Sequence, residues 1–173
     1  MTNELHLFID DTGSRYPDQV ALERKDGMDC FGLGGILVEK RHVESVNEAH
    51  AEFCRCWGIE VPLHSTKIRG PRGKFSWLGK KEKTEDAKRF YSDLQKLLSE
   101  QPIIGIAAVV HRPGYVARYK EKHADKLWLM DKTAYAILIE RSAKYAISLG
   151  LKLRVFFEGA GEREDKAIRE CHS

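Results

Sequence analysis

The sequence predicts an α/β fold with a mixed sheet, three leading antiparallel strands and flanking helices. Two observations carry this. Apolar, β-rich runs stand at residues 5–10, 31–38, 103–111 and 151–157, and apolar residues at helical spacing stand at 43–57, 85–99 and 124–149. With a short strand at 20–24 and the start of a helix at 162–171, the order is β-β-β-α-(basic loop)-α-β-α-β-α.

Each element has a local reason. Residues 5–9 are nearly continuous in apolar character and run into Asp10, as in a central strand that closes on an acid. Asp11, Thr12, Gly13 and Ser14 then spell a turn. The run at 31–38 is interrupted by Gly32, Gly34 and Gly35, which suggests close backbone approach or a bulge. Together with 20–24 these strands form a three-stranded antiparallel meander. Val43, Val46, Ala49, Phe53 and Trp57 mark an amphipathic helix, and Gly58 stops it. Thr84 caps a helix over 85–99 whose apolar face is Ala87, Phe90, Leu94, Leu97 and Leu98, and Pro102 ends it. The run at 103–111 reads as a buried strand, broken by Arg112, Pro113 and Gly114. A long helix over 124–149 follows, with Leu127, Met130, Ala134, Ile137, Leu138 and Tyr145 along one side and Gly150 as its C-cap. The last strand ends at Glu158.

The 173 residues fit one domain, 1–173, large enough to bury roughly 70% of its unfolded surface. A hydrophobic fraction of 42% with 32% charged residues excludes global disorder. No apolar run approaches the ~20 residues that span a bilayer, so no membrane association is expected. The first residues lack a basic segment followed by an apolar one, so a secretory leader is not expected. Cys30, Cys54, Cys56 and Cys171 contain no CxxC pair, and reduced thiols in a cytoplasm are the expectation. His50 and Cys54, one helical turn apart, lack a second ligand cluster and read as ordinary helix residues rather than a zinc site.

Charge is nearly balanced, 29 Lys and Arg against 26 Asp and Glu, but unevenly placed. Lys67, Arg69, Arg72, Lys74, Lys80, Lys81 and Lys83 stand close together with Glu82 as the one acid among them. Such a segment can follow a phosphate backbone, and a solvated loop is the alternative. Phe75 and Trp77 lie within it, either to stack on bases or to anchor the loop to the core.

Two strands end in carboxylates, Asp10 with Asp11 and Glu158. If the strands are neighbours, the acids converge at one sheet edge. Carboxylates gathered within about 4 Å of one point repel unless a cation joins them. Oxygen-only ligation suits Mg²⁺ or Mn²⁺, which clamp a phosphodiester and activate water. Solvated strand ends are the simpler alternative. Glu164 and Asp165 are further acids whose placement in a first helical turn also suits the helix dipole. His64 can move a proton near neutral pH, and Lys67 can hold a phosphate. His111 reads as a structural histidine, and Glu140 as one half of an intrahelical pair with Lys144.

The segments Leu7-Phe8-Ile9-Asp10-Asp11-Thr12-Gly13 and Phe31-Gly32-Leu33-Gly34-Gly35-Ile36-Leu37-Val38 resemble the opening of the domain of unknown function 3800 family. Leu63-His64-Ser65-Thr66-Lys67-Ile68 is similar to its second motif, and the run from Val155 through Glu158 to Asp165 to its third. The resemblance covers essentially the whole chain, in order. Asp11 and Thr12 stand where the family has Glu and Ser. It implies a ribonuclease H-like fold and a metal-dependent nuclease, with Asp10, Glu158 and Asp165 as metal ligands and His64 and Lys67 assisting. Lys67, Arg69, Arg72, Lys74, Trp77, Lys80 and Lys81 would contact the nucleic acid, DNA or RNA. The family continues into a further helix with a late carboxylate. The chain is therefore expected to lack that segment, which a protein partner or a second copy could complete. Two functions stand: a Mg²⁺- or Mn²⁺-dependent nuclease, and a non-catalytic nucleic-acid-binding or regulatory module with a degenerate or partner-completed site.

Overall fold

The computed structural model describes residues 3–17, 29–123 and 129–157, with 120–123 by their backbone alone. In chain order the elements are β1 (Glu4–Thr12), β2 (Cys30–Glu39), α1 (Val43–Cys56), α2 (Ser65–Arg69), α3 (Thr84–Glu100), β3 (Ile103–His111), α4 (Arg112–His123), α5 (Met130–Ser148) and β4 (Lys152–Phe157). Short 3-10 turns occupy Lys40–His42, Gly73–Gly79 and Lys81–Lys83. The sequence reads as one domain, and the fold divides it into two compact units. One is Met1–Lys40 with Ile104–Ser173, and the other, Arg41–Ile103, interrupts it in sequence.

The first unit is a mixed α/β structure on a four-stranded sheet of order β3-β2-β1-β4. β1 pairs antiparallel with β2 and parallel with β4. The expected strand at 20–24 lies outside the described residues. Side chains alternate along β1, so Leu5, Leu7 and Ile9 share one face and His6, Phe8 and Asp10 the other. The first set joins Phe31, Leu33 and Leu37 of β2 in a core closed by Met130, Ala134, Tyr135, Leu138 and Ala146 of α5. Gly35 is required there: a Cβ at this position would run into the Phe8 carbonyl across the β1–β2 ladder.

Three expectations are corrected in this unit. The run 103–111 stands at the edge of the sheet among the described residues, with Ala108 and Val110 buried in the core and Val109 67% exposed, as alternation along a strand with one packed face requires. Arg112, Pro113 and Gly114 do not only end β3 but open α4, since a proline in the first turn loses no helical hydrogen bond. The His111 ring accepts the Gly114 amide at 3.3 Å, in the manner of a cap. Along α5, Ile137 and Tyr145 are exposed, and the buried stripe runs instead through Ser142. A hydroxyl disguised that position in the sequence.

The second unit is helical. Phe90 of α3 is fully buried, and the rings of Phe53, Trp57, Phe75, Trp77 and Tyr91 surround it at 5.3–6.3 Å. Thr84 is the first residue of α3 rather than its cap, and its hydroxyl donates to the Lys81 carbonyl at 2.7 Å. No helix among the described residues is long and apolar enough to cross a membrane.

Candidate functional site

β1 and β4 run side by side in the same direction, with Phe8 opposite Phe156 and Ile9 opposite Phe157. The residues that follow Ile9 and Phe157 in sequence are Asp10 and Glu158. Asp10 is exposed, and its Oδ1 accepts the Asp11 amide at 2.8 Å. Among the described residues no cation pairs with it. Glu158, Glu164 and Asp165 lie outside the described residues. Among those that are described, no group of three or more His, Cys, Asp or Glu side chains could hold a metal ion.

Asp11 faces the other way, toward the α5 side, as strand alternation requires. Its carboxylate takes a hydrogen bond from Arg15 at 3.1 Å, and the same guanidinium stands 3.7 Å from Asp131 of α5. The two adjacent acids thus differ in their pairing: Asp11 is met by an arginine, and Asp10 is exposed with no cation partner among the described residues. On the Asp10 face, the Phe8 and Phe156 rings stack at 4.8 Å, and Arg154 lies over Phe156. At the far end of β1, Glu4 gathers His6 at 3.1 Å, Lys40 at 3.3 Å and Arg154 at 3.9 Å. Hydrogen bonds from His6 and then from Lys40 hold the Glu4 carboxyl below its ordinary range.

The basic segment belongs to the second unit. It was expected as a loop and is instead a series of short helical turns. The amides of Lys67 and Ile68 donate to the His64 carbonyl at 3.0 Å, Arg72 to Lys67 at 3.2 Å and Phe75 to Arg72 at 3.2 Å. The Tyr91 hydroxyl donates to the Ile68 carbonyl at 2.9 Å and fastens α2 to α3. His64 and Lys67 are both exposed here, His64 as the residue before α2. Lys67, Arg69, Arg72, Lys74, Lys80 and Lys81 are all exposed, and none pairs with a carboxylate among the described residues. Phe75 is buried, and Trp77 stacks on Trp57 at 5.8 Å, so these aromatics anchor the segment to the core. Of the remaining candidates, Glu140 pairs with Lys144, whose hydrogen bond lowers its pKa. The Cys54 thiol lies 3.6 Å from the His50 ring, with no third ligand among the described residues.

Three residues of this region were not singled out from the sequence: Arg15, Asp29 and Arg112. Arg112 is 6% exposed, a buried cation at the start of α4. Its one sequence signal is a charge set directly after an apolar strand.

The fold and these residues define an α/β chain with two adjacent acids near the end of β1 in one unit and a set of exposed cations in the other. The chain is similar to the uncharacterized protein y4pM of Sinorhizobium fredii (strain NBRC 101917 / NGR234), with 44% identity over 139 residues. The match takes in 80% of this chain and 50% of the relative, so the chain spans about half the length of the curated relative it matches. No family model matches the chain, and no solved structure matches it.

Proposed function

We propose that the chain is a nucleic-acid phosphodiesterase that uses Mg²⁺ or Mn²⁺, in keeping with its resemblance to the ribonuclease H-like domain of unknown function 3800 family. The observation that carries the reading is the parallel register of β1 and β4, in which Ile9 and Phe157 are partners and each precedes an acid in sequence. Asp10 fits the role of a hard-cation ligand: it is exposed, lies two residues before the end of a central strand and has no counter-ion among the described residues. Asp10 and Glu158 would hold the ion, with Asp165 as a further acid. A divalent ion supplies charge neutralisation and an activated water for attack at phosphorus.

The second unit supports the substrate class. Six exposed cations on hydrogen-bonded turns, none paired with a carboxylate among the described residues, offer phosphate contacts. A second reading, a binding module that does not cleave, rests on the same exposed cations, which can hold phosphate without a metal ion.

Calorimetric titration with MnCl₂ on wild type, Asp10→Asn and Glu158→Gln separates the two, alongside cleavage of labelled single-stranded RNA and DNA. The nuclease reading expects saturable binding that each substitution removes, and Mn²⁺-dependent cleavage lost with it. Salt-sensitive oligonucleotide binding without Mn²⁺ uptake would select the binding module.

A further inference from the structure

Arg112 is a buried cation with a full set of partners. Its Nε donates to both carboxylate oxygens of Asp29, at 2.8 and 3.0 Å, and its backbone amide donates to the Asp29 carbonyl at 2.9 Å. The two remaining guanidinium nitrogens reach the turn that leaves β1. One donates to the Ser14 carbonyl at 2.8 Å and the other to the Tyr16 carbonyl. A planar fork of fixed geometry suits this task, because three separate nitrogens each donate to a different residue, whereas an ammonium offers a single nitrogen.

Between those two carbonyls stands Arg15, which is committed elsewhere. Its carbonyl accepts the Met130 amide at 3.0 Å at the start of α5, and its side chain spans Asp11 and Asp131. The Arg112 fork therefore fixes the backbone on both sides of the residue that neutralises Asp11. Asp10, one residue before Asp11, has no cation partner among the described residues.

We propose that Arg112 is a positioning residue for the acidic end of β1: by holding the Ser14 and Tyr16 carbonyls it sets Arg15 across Asp11 and Asp131 and leaves Asp10 as the carboxylate presented to a ligand. Arg112 touches no reacting group itself. The inference rests on the proposed role of Asp10 as a divalent-ion ligand, and it assigns a device that decides which of two adjacent acids serves.

The test compares wild type, Arg112→Lys and Leu138→Ala. The last removes a core side chain of the same unit, 1% exposed, and controls for lost stability alone. MnCl₂ calorimetry and amide hydrogen exchange over residues 11–16 are read on all three. Arg112→Lys keeps the charge but not the fork. It should bind Mn²⁺ about tenfold more weakly, the usual cost of losing an outer-sphere positioning contact, and it should exchange faster at 11–16. Leu138→Ala should keep wild-type affinity. Wild-type affinity in Arg112→Lys, or an equal loss in Leu138→Ala, would overturn the inference. If wild type binds no Mn²⁺, the metal reading fails separately, and the exchange data then decide. Faster exchange confined to 11–16 in Arg112→Lys supports the positioning role, and unchanged exchange refutes it. If Arg112→Lys does not fold, Asp29→Asn, which disables the same fork, is read by the same criteria.

Discussion

Replacing Phe90 by alanine should cost the second unit much of its stability. The side chain is fully buried, and five aromatic rings lie within 6.3 Å of it, centre to centre. Truncating a buried phenylalanine costs about 3–5 kcal/mol through lost transfer energy and the cavity left behind. Edge-to-face pairs add about 0.5–1.5 kcal/mol each beyond their area, and Trp57, Trp77 and Tyr91 all meet Phe90 in that geometry. Such terms are not additive, so the upper end of the range, about 5 kcal/mol, is the expectation. Phe90→Leu keeps most of the volume and should cost about half as much. Urea unfolding followed by tryptophan fluorescence measures both, in a Trp128→Phe background so that Trp57 and Trp77 give the signal. Because Phe75 and Trp77 anchor the basic segment to this cluster, the proposed nucleic-acid role expects oligonucleotide affinity to fall further in Phe90→Ala than in Phe90→Leu. A loss below about 1 kcal/mol in Phe90→Ala would refute the reasoning, because it would mean the ring cluster does not hold the unit together.

Other positions give sharper signs. Ser142 is fully buried, and its hydroxyl has no hydrogen-bond partner among the described residues, so Ser142→Ala should leave the thermal midpoint unchanged or raise it, by up to about 1 kcal/mol of stability. A clear loss would mean the hydroxyl is satisfied. Gly35→Ala forces a methyl into the Phe8 carbonyl and should destabilise the sheet by more than about 2 kcal/mol in a denaturant titration, and a neutral result would show that β1 and β2 can part there. Glu4 has a folded pKa below its ordinary value, so its contribution is present above the carboxylate range and lost as the pH falls through it. The stability gap between wild type and Glu4→Gln should therefore narrow from about pH 5 downward, and a gap that widens on acidification would contradict the pairing with His6 and Lys40.

Much of the framework was legible in the chain. The apolar run ending at Asp10, the periodic residues from Val43 to Trp57 and the stripe through Ala87 and Phe90 each identify an element, because burial on one face imposes a repeat on the sequence. Gly58 and Gly150, both with positive φ, stop α1 and α5 where a residue without a side chain was anticipated. Errors arose where local signs conflict with tertiary context. The apolar stripe of the long helix was read through Ile137 and Tyr145 rather than Ser142, 103–111 looked like a buried strand, and Arg112 with Pro113 and Gly114 like a plain break. The basic segment looked like a loop because its hydrogen bonds form short turns, too brief for periodicity to register. The Arg112 fork joins residues 83 to 98 positions apart in the chain. The sequence by itself thus determined which residues are apolar, which are charged and where elements end, since those depend on near neighbours. Only the tertiary structure decided that β4 lies parallel to β1, that Arg15 neutralises Asp11 and that Asp10 has no counter-ion among the described residues. Those outcomes depend on which distant backbones pair, and pairing across a sheet leaves no period along the chain.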